Sequence, residues 1–250
     1  MNKGILSTAC PALLCFGISI SSAQTGPRPG LQVAGEFSMS VKLGYLLYLP
    51  ADYGKDEGKK WPMILFLHGA GERGDNAKFV QIWGPAEIAE DKALPFIVLS
   101  PQCPGDRSWA DLLLPVKELM DHVILMYRVD LSRIYVTGLS MGGYGTFLMM
   151  EHYWKYFAAY APICGGGNPM AVSSYAHLPG WVFHGDQDNV VPLYCSQVMV
   201  DSLKAKGADV KFTVFKGMGH YLSWEPAYKE SGLFEWFLTK RKDYKKHFPY

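Results

Sequence analysis

Three glycine-flanked loops carry, in chain order, a serine, an aspartate and a histidine. Ser140 stands in Gly138-Leu-Ser-Met-Gly142, Asp188 in His184-Gly-Asp-Gln-Asp-Asn-Val-Val-Pro192, and His220 ends Phe215-Lys-Gly-Met-Gly-His220. A serine hydroxyl is a poor nucleophile at neutral pH, and becomes a useful one when an imidazole takes its proton and a carboxylate orients that imidazole. Three such residues suit acyl transfer, in which the hydroxyl attacks a carbonyl carbon. Glycines alone do not distinguish a nucleophile from an ordinary turn residue, because any sharp strand-to-helix turn needs small neighbours. Position does: an apolar run over 133–137 precedes Ser140 and a helical pattern over 141–153 follows it, the setting in which G-x-S-x-G lifts a hydroxyl above a sheet.

Of seven histidines, His220 is the expected base, since a Gly-rich turn after the last strand brings its ring to the top of the sheet. His68 and His184 stand at strand ends, where structural hydrogen bonding is the expected role, and His122, His152, His177 and His247 fit helix surfaces or loops. Asp188 is favoured over Asp186 as the carboxylate because Asn-Val-Val-Pro follows it, leaving Asp186 to brace the turn. The tetrahedral oxyanion needs N–H donors held in advance. One is expected from the amide of Met141, the other from Ala70, with Gly71 as the alternative, in the loop Leu67-His-Gly-Ala-Gly-Glu-Arg73. A base of this kind predicts activity that falls below about pH 6 to 7, where imidazoles protonate.

Such side chains must be carried by strands. Short apolar runs at 44–49, 63–67, 96–100, 133–137, 158–161, 181–183 and 210–215 are continuous rather than alternating, which predicts strands covered on both faces and a mostly parallel sheet of about eight strands. Val116, Leu119, Met120, Val123, Ile124 and Tyr127 recur at helical spacing, and 141–153, 193–206 and 233–240 are further helices. The alternation is that of an α/β sandwich, whose chemistry sits at the carboxyl ends of the strands. Only residues 163–180 separate the sixth strand from the next, so little or no lid is expected.

At 250 residues, with 49% hydrophobic and 14% aromatic, the chain has material for one large core. A balance of 24 basic to 23 acidic residues argues against nucleic acid as a partner. Residues 1–23 combine a charged start, an apolar stretch and Ser-Ser-Ala, the pattern of a secretory signal cleaved after Ala23, rather than a stable membrane span. The protein is therefore expected to be secreted or periplasmic, with a Gly/Pro-rich leader over 24–35, a catalytic domain over 36–242 and a basic tail over 243–250. Removal of Cys10 and Cys15 with the signal leaves Cys103, Cys164 and Cys195, which permit at most one disulfide and show no zinc-ligand spacing. Acyl transfer by this route implies neither metal nor cofactor.

The stretches LHGAGERGDN (67–76), SPQCPGDRSWAD (100–111), RIYVTGLSMGGYGT (133–146), HGDQDNVVP (184–192) and GHYLSWEPAY (219–228), read in that order, resemble α/β-hydrolase esterases. The relatives in question are feruloyl and acetyl-xylan esterases, polyhydroxybutyrate depolymerases and the catalytic domains of prolyl-oligopeptidase-like enzymes. The resemblance implies an α/β-hydrolase fold with Ser140, Asp188 and His220 as nucleophile, orienter and base, and Ala70 and Met141 as the oxyanion hole. It also implies substrate contacts near Gly71, Glu72, Arg73, Trp109 and Trp224. Glu72 with Arg73 reads equally as a loop-bracing ion pair, and the two tryptophans as packing aromatics.

The expected activity is hydrolysis of carboxylic esters, with feruloyl or acetyl groups on plant cell-wall polysaccharide favoured because an open cleft admits an ester on a bulky polymer. A prolyl-oligopeptidase-like peptidase is the alternative, although such enzymes use a propeller for which this chain has no room. A non-catalytic hydrolase-fold binding protein is the third reading. The oligomeric state is not legible.

Overall fold

The computed structural model describes residues 27–38 and 41–242. Eight strands form one sheet in the order β1-β2-β4-β3-β5-β6-β7-β8: β1 (Gln32–Ser38), β2 (Lys42–Tyr48), β3 (Trp61–Leu67), β4 (Ile97–Pro101), β5 (Val129–Leu139), β6 (Ala159–Ile163), β7 (Gly180–Gly185) and β8 (Val210–Phe215). The first two pairings, β1 with β2 and β2 with β4, are antiparallel, and every later neighbour is parallel. The helices are α1 (Gly84–Ile88), α2 (Leu113–Met126), α3 (Met141–Tyr153), α4 (Tyr194–Ala205), α5 (Trp224–Lys229) and α6 (Leu233–Leu238).

Continuous apolar runs arise because successive side chains of a strand point to opposite faces, and both faces here are covered. In β3, Met63, Leu65 and Leu67 enter a core with Val116, Leu119, Met120 and Val123 of α2, Phe147 and Met150 of α3, and Met199 and Leu203 of α4. The intervening Ile64 and Phe66 enter a second core with α1, α5 and α6, through Ala86, Tyr228, Phe234 and Phe237. The helical spacing read in α2 is thus the spacing of residues in contact with the sheet.

Two boundaries differ from expectation. Residues 32–35, assigned to a leader, belong to β1, which pairs with β2 from Gln32↔Tyr48 to Ser38↔Lys42. The strand is half-exposed, and Gly35 interrupts its pattern because the Tyr45 ring of β2 lies across it: a Cβ there would sit 2.5 Å from Tyr45 Cζ. At the other edge, β8 alternates between half-buried and exposed positions rather than running buried throughout. Between β6 and β7 the chain forms only a short 3-10 turn, Ala171–Ser174, and no inserted helical lid. The signal at 1–23 and the tail at 243–250 lie outside the described residues, as do Cys10, Cys15 and His247. Among the described residues no helix is long and apolar enough to cross a membrane. Cys103, Cys164 and Cys195 are all free thiols.

Candidate active site

Ser140 sits between the end of β5 and the first residue of α3, with φ 55° and ψ −118°. That conformation costs a non-glycine residue on the order of 1–3 kcal/mol and persists only where the surroundings enforce it. The enforcement is visible. The Ser140 amide donates to the Ile163 carbonyl at 2.9 Å, tying the turn to β6, and α3 leaves directly over the end of β3. A Cβ at Gly142 would lie 1.8 Å from the Leu67 carbonyl oxygen, and one at Gly138 would lie 2.4 Å from the Gly142 oxygen. The glycines two places either side of Ser140 therefore serve close backbone approach.

The three loops converge. His220 Nε2 lies 2.8 Å from Ser140 Oγ, and its Nδ1 lies 2.6 Å from Asp188 Oδ2. Asp188 Oδ1 accepts the amides of Val190 at 2.9 Å and Val191 at 2.8 Å, which is the anchoring expected of the residues that follow it. Burial works to raise the Asp188 carboxyl, but the hydrogen bonds from His220 and from those two amides outweigh it and hold the group below its ordinary value. With a carboxylate facing Nδ1, that nitrogen carries the hydrogen and Nε2 is left to accept from the serine hydroxyl. Asp186 takes the bracing role: its Oδ1 accepts the Gly217 amide at 2.7 Å, joining the loop after β7 to the loop after β8.

Met141 is the first residue of α3 and Ala70 the first of a 3-10 turn, Ala70–Glu72, so both amides belong to helix starts, where N–H groups have no partner within the helix. Gly69 brings that turn close to the serine: a Cβ at Gly69 would lie 3.6 Å from Ser140 Cβ. Ala70 and Gly71 are exposed at this rim.

The surrounding residues sort differently from expectation. Glu72 and Arg73 form no ion pair; Arg73 is exposed and donates instead to the carbonyls of Ala70 at 3.0 Å and Arg107 at 3.4 Å. Glu72 is buried, its carboxyl is raised by desolvation, and its Oε2 has no hydrogen-bond partner. Trp109, expected near the cleft, is 1% exposed. Its Nε1 donates to the His68 carbonyl at 2.9 Å and its ring meets the His68 ring edge-on at 4.9 Å, so it packs under the oxyanion loop rather than facing substrate. Trp109→Ala should cost roughly 3–5 kcal/mol of stability in a denaturant titration, with KM for a small aryl ester unchanged in the folded fraction. Trp224 is 3% exposed and buttresses the base, its ring 5.1 Å from that of His220 and 5.3 Å from Trp83. Tyr221 and Leu222, which sequence reasoning passed over, are 61% and 67% exposed directly beside His220. Their adjacency to the histidine was the available signal.

His68 has the structural role foreseen for it. The Cys103 amide donates to its Nε2 at 2.9 Å, so the hydrogen is on Nδ1, facing the Gly69 carbonyl at 2.6 Å. Burial lowers its pKa to about 4, which keeps the ring neutral. One set of side chains among the described residues, Cys164, His184 and Asp188, brings possible metal ligands within 4.8 Å of one another. Two of the three are already engaged by protein groups, Asp188 by the His220 ring and His184 Nε2 by the Val191 carbonyl.

The chain is 29% identical over 143 residues to a bifunctional acetylxylan esterase/xylanase of Neocallimastix patriciarum, covering 52% of this chain and 20% of that protein. It is 42% identical over 72 residues to poly(3-hydroxyalkanoate) depolymerase C of Paucimonas lemoignei, covering 28% and 17%. The chain thus spans about a fifth of the length of these curated relatives. Among solved structures, a thermostable esterase superposes with a TM-score of 0.74 at 33% identity, over 84% of this chain and 63% of that one. The model of the dienelactone hydrolase family matches residues 40–229, from β2 through the loops that hold Ser140, Asp188 and His220, and the chain belongs to that family.

Proposed function

We propose that the protein is a secreted serine carboxylesterase in which Ser140 is the nucleophile, His220 the general base and Asp188 the residue that orients it. The observation that carries the reading is the unbroken hydrogen-bonded line from Ser140 Oγ through His220 to Asp188 Oδ2, at 2.8 and 2.6 Å. In the reaction, His220 Nε2 takes the hydroxyl proton as Ser140 Oγ bonds to the ester carbonyl carbon. The amides of Met141 and Ala70 receive the negative charge that develops on the carbonyl oxygen. Collapse of the tetrahedral species breaks the bond to the alcohol oxygen, which leaves with the proton from His220. Water then repeats the sequence, giving the carboxylic acid and free Ser140.

The favoured substrates are feruloyl or acetyl esters of plant cell-wall polysaccharide. Three features support this: the connection between β6 and β7 carries no helical lid, the relative from Neocallimastix is an acetylxylan esterase, and the loops of the site expose apolar and aromatic side chains among polar ones. Val190 on the Asp188 loop, Tyr194 at the start of α4, and Tyr221 and Leu222 after His220 offer surfaces on which a planar phenolic acyl group or a sugar ring can stack.

The test is a hydrolysis panel of methyl ferulate, acetylated xylan, a short aryl ester, a long-chain triglyceride and a proline amide. Preference for the cell-wall esters is expected. Preference for the triglyceride would overturn the substrate assignment, and cleavage of the amide without the esters would favour a peptidase. Asp188 is held below its ordinary value, so its carboxylate stays ionised through neutral pH, and kcat/KM should fall on the acid side as the general base takes up a proton. A flat profile there would require another base.

A further inference from the structure

Behind the acid of the proposed triad lies a second histidine. His184 is the penultimate residue of β7, and its side chain is fully buried, as is the side chain of Asp188. One ring nitrogen, Nε2, lies 2.9 Å from the Val191 carbonyl and 3.3 Å from Asp188 Oδ2. The other, Nδ1, lies 2.7 Å from Ser196 Oγ of α4, which in turn is 2.7 Å from the Gly165 carbonyl. A carbonyl can only accept, so the hydrogen is on Nε2, shared between Val191 and Asp188. Burial drives His184 toward its neutral form, so Nδ1 takes the Ser196 hydrogen only when that hydroxyl turns from the Gly165 carbonyl, to which it donates. The ring thus grips both ends of the Asp188 loop: the carboxylate itself, and the residue whose amide Asp188 Oδ1 accepts.

We propose that His184 is a positioning residue for Asp188, held in orientation by Ser196, and that its Nε2–H sets how strongly the Asp188 carboxylate draws on the His220 ring. The inference rests on the reading of Asp188 and His220 as acid and base. A carboxylate oxygen that receives a second N–H gives up less charge to the first. Without His184, Oδ2 would serve His220 alone and would hold the protonated ring more tightly. The Tyr221 ring lies 5.4 Å from that of His220, and behind the contact stand Cys164, whose thiol burial pushes to about 12, and Tyr144 of α3, whose phenol is likewise raised to about 12. Both stay neutral through the range in which imidazoles titrate, so the contact among His184, Asp188 and His220 is the variable.

The experiment compares wild type, His184→Leu and His184→Gln by proton NMR titration of the His220 ring and by the pH profile of kcat/KM. In His184→Leu the turnover of the His220 resonance, and the acid limb of activity with it, should move up by about half a pH unit or more. Its kcat should fall about tenfold, with KM within about twofold. Glutamine places a neutral N–H where Nε2 was, and should return both readouts most of the way to wild type. A purely structural role would lower thermal stability and leave the His220 turnover in place. Coincident turnover in wild type and His184→Leu, or a shift in His184→Gln as large as in His184→Leu, overturns the proposal. Should the leucine variant not fold, Ser196→Ala removes the ring's anchor and should shift the same turnover upward by a smaller amount; no shift there is equally fatal. Ser140→Ala separates the two claims. Undiminished hydrolysis in that variant sinks the triad reading, whereas the ring titration reports the His184 contact regardless of activity.

Discussion

Ser140→Ala is expected to lower kcat/KM for a short aryl ester by about 10⁴-fold or more, with KM little changed and the thermal midpoint within a few degrees of wild type. Removing the oxygen that bonds to the carbonyl carbon leaves only substrate binding and the oxyanion donors, which by themselves give a small residual rate. The fold should not suffer. Ser140 Oγ makes one hydrogen bond, to His220, while the turn is held by its backbone and by the glycines around it. An organophosphonate probe should label the wild type and not the variant. A variant that retains hydrolysis and labelling would place the nucleophile on another residue, and the convergence of Asp188 and His220 on Ser140 would need a different explanation.

Gly142→Ala is expected to be the most damaging single-methyl change in the molecule. The added carbon would meet the Leu67 carbonyl oxygen at 1.8 Å, its carbon at 2.5 Å and the His68 carbonyl oxygen at 2.8 Å. All three are backbone atoms at the end of β3, so no side chain can swing aside. Relief requires α3 to lift off the sheet, at a cost of roughly 3 kcal/mol or more, which for a domain of this size lowers the thermal midpoint by about 6–12 °C. Gly71→Ala is the matched control: nothing lies within 4 Å of a Cβ at that position, and its stability should change by less than about 0.5 kcal/mol. Equal midpoints for the two variants would show that the sheet-to-helix approach is looser than the backbone contacts imply. Lifting α3 would also move Met141, so any folded Gly142→Ala protein should lose activity through kcat.

The distribution of correct and incorrect expectations follows the range of the interactions. The runs at 63–67 and 133–137 were legible because strands buried on both faces must be apolar at every position, and α2 because one face of a helix on a sheet repeats every three or four residues. Strand β1 was missed because an edge strand need bury little, and its central glycine is explained only by a tyrosine ten residues away on the neighbouring strand. Trp109 was left between a cleft and a packing role for a similar reason. A tryptophan in a loop among motif residues reads as a cleft aromatic until His68, forty-one residues earlier, is seen to accept from its indole N–H. The Glu72–Arg73 pair failed because adjacent opposite charges do not oblige two side chains to point the same way.

By itself, the sequence determined the chemistry available to this protein: a serine in a turn that only glycines permit, followed by an acid and a base in the loops after later strands. Those choices are local, because hydroxyl, carboxylate and imidazole have intrinsic reactivities, and turn glycines are dictated by backbone sterics within a few residues. The tertiary structure alone decided how closely Asp188 meets the His220 ring, and that a buried second histidine lies against the same carboxylate. The parallel sheet is what makes the difference. It sets the ends of β5, β7 and β8 along one rim, with only β6 between the first two, so residues 80 and 32 positions from His220 come within hydrogen-bonding distance of one ring, a convergence that no spacing along the chain can express.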